Sequence, residues 1–289
     1  MILEWSRESS VFDNKSYVEL AQQPTELLPE VAAHVLWDVG RPNRSCDQQN
    51  VVTDRLPILM YHRIAPNGAS STARYRVTPE LFEEQLRYLR DTGYYSVSLE
   101  GWRKAMEKKS PLPGRAVIIT FDDGYLDFLT YAWPLLKRYG FLATVFLVAE
   151  HVGGTNSWDS IYVEEVPLLG WEDIRQLRDE GVEFESHSAS HPYLTALSPE
   201  KIVSEGARSR AILVRELGVT IKAFAYPYGD VDHVVQHLIG ACGYIFGLSC
   251  RCDLSGYHDP FLALPRLEVF GFDNLQAFIA KLSVCETQV

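Results

Sequence analysis

Two histidines four residues apart and a pair of adjacent aspartates carry most of the chemistry legible in this chain. His187-Ser188-Ala189-Ser190-His191 offers two imidazoles, and Asp122-Asp123-Gly124 offers two neighbouring carboxylates beside a glycine that lets the backbone turn tightly. Asp123, His187 and His191 together suit Zn2+ or a similar borderline divalent ion with one position left open. Such an ion lowers the pKa of water to about 7 and polarises a carbonyl oxygen. Asp122 cannot easily reach the same ion in the same way, and it is placed to take a proton as a general base. A departing amine needs a proton, and His62 is a suitable acid on a neighbouring strand end. The backbone N–H of Tyr228, in Tyr226-Pro227-Tyr228-Gly229, is suited to holding a tetrahedral oxyanion.

Each piece also has a structural reading, because Asp-Gly is an ordinary turn signal and a lone histidine is commonly just hydrogen-bonded. The chain supplies its own control. His233-Val234-Val235-Gln236-His237 has the same spacing but lacks the Glu of H-E-x-x-H, and it sits opposite an apolar face of Val231, Val234, Val235, Leu238 and Ile239. That pair reads as a solvated helix face. The first pair differs in its company, which depends on where the surrounding elements put it.

Apolar, β-branched stretches predict strands at Pro57 to Tyr61, Tyr94 to Ser98, Ala116 to Phe121, Ala143 to Val148, Val182 to Ser186, Lys222 to Tyr226, Tyr244 to Leu248 and Leu264 to Val269. Helices lie between most of them. Thr78-Pro79 opens one that runs to about Asp91, and Ser198-Pro199 opens another that runs to Leu217 and stops at Gly218. Leu135 to Tyr139 ends at Gly140, and Trp171 to Glu180 ends at Gly181. This alternation predicts an α/β fold, a distorted (β/α)7-8 barrel, with residues 1–55 as an N-terminal extension and 56–289 as the catalytic domain. On that frame His62, Asp122, Asp123, His187, His191 and Tyr228 all follow strand ends, the face where parallel barrels carry their sites.

The 289 residues, 46% of them hydrophobic, suffice for a substantial core, and a net charge of -11 argues against nucleic acid or an anionic membrane surface as partner. No apolar run is long enough to span a bilayer, and Met1 to Ser10 does not read as a secretory signal. With five scattered cysteines (Cys46, Cys242, Cys250, Cys252, Cys285) this predicts a cytoplasmic protein with reduced thiols and no structural zinc site. Oligomeric state is not legible.

Thr120-Phe121-Asp122-Asp123-Gly124, then His187-Ser188-x-x-His191-Pro192, then Phe224-Ala225-Tyr226-Pro227-Tyr228-Gly229 resemble the polysaccharide deacetylase family (the NodB-homology domain) over residues 56 to 282. Leu59-Met60-Tyr61-His62-Arg63-Ile64 is similar to the opening of its permuted branch, which includes exopolysaccharide deacetylases. The resemblance implies a metal-dependent hydrolase that removes N-acetyl groups from an amino-sugar glycan or precursor and releases acetate. It implies Asp122 as base, His62 as acid, and Asp123, His187 and His191 as ligands of one divalent ion: Zn2+, or else Ni2+, Co2+ or Fe2+. Where many members carry an arginine that orients the base, this chain has Ala225, and Arg266 is the candidate substitute. His258, in His258-Asp259, rivals His62 as the acid. Glu185 shares a strand face with His187 and is expected either to orient an imidazole or to face water. Trp158 and Tyr125, with Tyr228, are candidates to stack on sugar rings. The alternatives are an amidohydrolase on a non-sugar amide and an inactive glycan-binding relative.

Overall fold

The computed structural model describes residues 55–108, 112–256 and 258–283. The expected extension, apart from Arg55, lies outside them, as do Cys46 and Cys285. Eight strands match the eight read from sequence: β1 (Ile58–Tyr61), β2 (Tyr94–Ser96), β3 (Arg115–Phe121), β4 (Thr144–Leu147), β5 (Glu183–Ser186), β6 (Ala223–Ala225), β7 (Phe246–Leu248) and β8 (Leu267–Glu268). They form one parallel sheet in the order β7-β6-β5-β4-β3-β1-β8, with β2 paired to the first half of β3. The sheet curls into a barrel. Leu264 donates to Gly247 and accepts from Ser249, so the segment leading into β8 bonds to β7 on one side while β8 pairs with β1 on the other.

The helices are α1 (Pro79–Asp91), α2 (Leu99–Glu107), α3 (Trp133–Tyr139), α4 (Trp171–Asp179), α5 (Pro199–Leu217), α6 (His233–Ala241) and α7 (Leu275–Ser283). Their ends show why the punctuation was readable. The Thr78 hydroxyl accepts from Leu81 N ahead of Pro79 in α1, and α3 and α5 stop at Gly140 and Gly218 in left-handed conformation. α1 buries Phe82, Gln85, Leu86 and Leu89, one face at helical spacing, and Gln85 accepts the buried Tyr61 hydroxyl at 2.9 Å. α6 exposes His233 and His237, as the control reading expects, although Val234 also lies exposed rather than on the apolar face. Among the described residues no helix is long and apolar enough to cross a membrane.

Side chains alternate along each strand, and this alternation is what positions the site. Leu59, Tyr61, Val117, Ile119, Phe121, Val145 and Leu147 pack outward into the core shared with the helices. Ile58, Ile118, Phe146, Ala223, Ala225, Phe246, Leu248 and Leu264 form a second cluster inside the barrel, where Leu99 and Trp102 of α2 join them. Extended by two residues, the inward rows of β1, β3 and β5 reach His62, Asp122 and His187.

Candidate active site

Asp122 lies at the end of β3 and is 2% exposed. Both of its oxygens accept from Arg266, Nη1 to Oδ1 and Nη2 to Oδ2, at 2.7 Å each. Arg266 is wholly buried, just before β8, with Nη1 also 3.3 Å from the Thr120 hydroxyl and Nε donating to the Ser249 carbonyl oxygen. Burial is the largest influence and pushes the Asp122 carboxyl upward, but the charge and hydrogen bonds of Arg266, together with the neighbouring His187, hold Asp122 below the usual carboxylate range. The charge missing at Ala225 is therefore supplied by Arg266. The Ala225 carbonyl has another task, since it accepts the Nδ1–H of His187 at 2.8 Å and leaves Nε2 free.

Asp123, His187 and His191 converge, each buried, with one ligand atom apiece all within 4.8 Å of one another. Asp123 Oδ1 lies 3.4 Å from Nε2 of both imidazoles, and those two nitrogens are 3.2 Å apart. Asp123 Oδ1 is buried with no hydrogen-bond partner. A buried acceptor left bare beside two imidazole nitrogens suits a cation shared by all three, and an oxygen with two nitrogens is a borderline-metal donor set. Burial raises the Asp123 carboxyl, yet the two histidines pull it well below its ordinary value. Burial also lowers His191, which favours the neutral, ligating imidazole.

The backbone at the site is strained. Four non-glycine residues among those described have left-handed φ, Asp123 (71°), Ser188 (68°), His191 (63°) and Tyr228 (59°), and all four belong to these motifs. Gly124 follows at φ 73°, where an added Cβ would lie 2.6 Å from Leu147 Cδ2. The histidine loop is propped from α5. Glu205 accepts from Ala189 N, Ser190 N and the Ser190 hydroxyl, while Ser188 Oγ accepts from His191 N. No sequence pattern singled out Glu205.

His62 is half-buried after β1, its ring 4.9 Å from that of Tyr75 and its Nδ1 buried without a partner. It is near enough that a charge on it would favour ionised Asp122 and Glu268. The segment is tied down by Arg63, whose Nε donates to Asp127 Oδ2 at 2.8 Å. His258 is exposed, in a turn closed by Gly256 N donating to Asp259, next to the strand that pairs with Arg55–Leu56.

Two expectations change. Glu185 shares the inward face with His187 but sits lower, half-buried on a cavity and accepting from Lys222 N and Ala223 N at 2.8 Å, so it does not orient an imidazole. Tyr125 is 8% exposed, packed with Val166 and Leu168 beneath Trp158 and facing the Arg63 guanidinium, so its ring supports the wall instead of offering a face to a sugar. Trp158 stacks on His191 with centroids 4.8 Å apart. Tyr228 is 37% exposed, stacks on Tyr193 at 4.0 Å and donates its hydroxyl to Asp159. Tyr75, Asp159 and Tyr193 were not among the sequence candidates; Asp159 follows the candidate Trp158 and Tyr193 lies two residues after His191, whereas Tyr75 had no neighbouring motif to point at it.

A family model described as polysaccharide deacetylase matches residues 109–247. The Bacillus subtilis protein YxkH is 28% identical over 215 residues, covering 74% of this chain and 71% of its own. A poly-β-1,6-N-acetyl-D-glucosamine N-deacetylase of Staphylococcus epidermidis is 28% identical over 194 residues, covering 60% of this chain and 65% of that protein. Among solved structures, the Streptococcus pyogenes deacetylase PplD in complex with acetate aligns with a TM-score of 0.70 at 26% identity, covering 80% of this chain and 99% of that one.

Proposed function

The chain belongs to the polysaccharide deacetylase family, and from that premise we propose that it hydrolyses N-acetyl groups of an amino-sugar glycan, leaving a free amine and acetate. The observation that carries this reading is the convergence of Asp123, His187 and His191 beside an Asp122 that an arginine keeps charged.

Asp122 takes the proton of the attacking water. Each carboxylate oxygen has a second lone pair, so the paired Arg266 does not exhaust its capacity to accept. A carboxylate held this low is a weak base, and ordinary water is too poor an acid for it. One divalent ion held by Asp123, His187 and His191 would supply what is missing, an acidified water and a polarised acetyl carbonyl; Zn2+ suits the donor set best, with Ni2+, Co2+ or Fe2+ as alternatives. The Tyr228 N–H holds the developing oxyanion, in a turn fixed by Gly229 N donating to the Tyr226 carbonyl. His62 protonates the departing nitrogen. Its place after β1, on the inward row with Asp122, supports it over the exposed His258 and fits the permuted branch of the family. Tyr228, Tyr193 and the exposed part of Trp158 give sugar rings apolar faces beside that centre.

The test is acetate release from N-acetylglucosamine oligomers by protein loaded with Zn2+, with and without chelator, against small cyclic amides as control substrates. Chelator-sensitive release from the oligomers alone is expected. Turnover of cyclic amides alone, or release indifferent to chelator, contradicts the reading.

A further inference from the structure

Two imidazoles must aim Nε2 at one point, and the structure fixes them by different means. His187 is set by the hydrogen bond from its Nδ1 to the Ala225 carbonyl oxygen. His191 has no such anchor, because its Nδ1 is buried without a hydrogen-bond partner. Its ring is held between two aromatic rings. Trp158 stacks on one side at 4.8 Å and 27°, and Tyr228 meets it edge-on at 4.5 Å and 72°.

Both flanking rings are themselves braced. Trp158 packs over Tyr125, Val166 and Leu168 and takes the His151 ring on its edge at 5.1 Å. Tyr228 is backed by Tyr193 at 4.0 Å, and its hydroxyl donates to Asp159, the residue after Trp158. Neighbours 158 and 159 thus grip the imidazole directly and through Tyr228. The left-handed backbone of His191, at φ 63°, makes such a grip necessary, since this conformation is sparsely populated outside glycine.

We propose that Trp158 is a positioning residue for His191, its indole doing for that imidazole what the Ala225 carbonyl does for His187. The inference rests on the reading of Asp123, His187 and His191 as metal ligands, and it adds support of the ligand set to the sugar-facing role of the exposed part of Trp158. Loss of an outer-shell partner of a metal ligand commonly weakens metal binding by about 10- to 100-fold.

The probe is Zn2+ alone, competed between the full chain and a chromophoric chelator. Trp158→Leu, which keeps apolar bulk but no flat ring, is expected to weaken Zn2+ binding by roughly tenfold or more, and Trp158→Phe to restore most of the affinity. In a second readout, Co2+ quenches a share of the tryptophan emission of the wild type that is absent from Trp158→Phe, which needs only the conservative variant to fold. Wild-type Zn2+ affinity in Trp158→Leu, no rescue by Trp158→Phe, or equal Co2+ quenching in wild type and Trp158→Phe overturns the proposal alone. A wild-type chain that binds no Zn2+ overturns the ligand reading beneath it.

Discussion

The two ends of the barrel interior hold carboxylates on the same inward face and treat them oppositely. At the C-terminal end Asp122 meets the Arg266 guanidinium through two hydrogen bonds and stays below the ordinary carboxylate range. At the other end Glu185 accepts two backbone N–H groups, with Glu183 nearby, and burial pushes it up to about 8. There Glu183, Glu185, Glu100, Lys222 and Phe246 line a cavity of about 420 Å³. Burial alone therefore does not decide whether an interior carboxyl is an anion; a fixed, buried countercharge does. Only one end has that countercharge, and only that end has the chemistry.

Breaking the charged end should have the largest effects. Asp123→Ala is expected to lose bound metal and essentially all acetate release, measured by elemental analysis and an acetate assay. Asp122→Asn should retain the metal and lose about 10²- to 10⁴-fold in turnover, the range for a positioned general base; undiminished turnover would remove Asp122 from its role. Arg266→Met strands a buried anion and should destabilise the fold by about 3–5 kcal/mol in chemical denaturation. Adding Asp122→Asn to that variant should return part of the loss, because no charge is then left unpaired.

The opposite end gives a gentler, pH-dependent effect. The folded state holds the Glu185 proton up to about pH 8, whereas the unfolded chain releases it near the ordinary glutamate value of 4.5. Stability from this group is therefore full below the unfolded pKa and is lost as pH rises towards the folded one. Glu185→Gln should match the wild type in thermal melts at pH 5 and exceed it by a few kcal/mol at pH 9, at about 1.4 kcal/mol per pH unit; identical melts at both would show that Glu185 is charged throughout. Tyr228→Phe, which removes a partly exposed hydrogen bond to Asp159, should cost only about 1 kcal/mol in the same melts.

Much of this was legible in the sequence because it is local. Eight strands, their parity and their glycine and proline punctuation suffice to place Asp122, Asp123, His187 and His191 at strand ends. α2 was not among the helices read from sequence; the structure shows Gly101 N, in its first turn, donating to the Ser98 hydroxyl as an ordinary N-cap. What stayed hidden is held by distance along the chain. Arg63 reaches Asp127 across 64 residues, and Arg266, which only the family resemblance brought forward, reaches Asp122 across 144. Glu205 props the histidine loop from the buried face of α5, where a charged side chain does not register in an apolar pattern. Glu185 had the right parity but the wrong depth, because alternation gives the face of a strand and not the layer at which a side chain finds partners.

Anomalous diffraction at the zinc edge from crystals of the Zn2+-loaded protein addresses the metal centre most directly. A single peak within about 2.0–2.2 Å of an Asp123 oxygen and of Nε2 of His187 and His191 is the predicted result. A peak that omits any of the three, or none between them at saturating Zn2+, would contradict it.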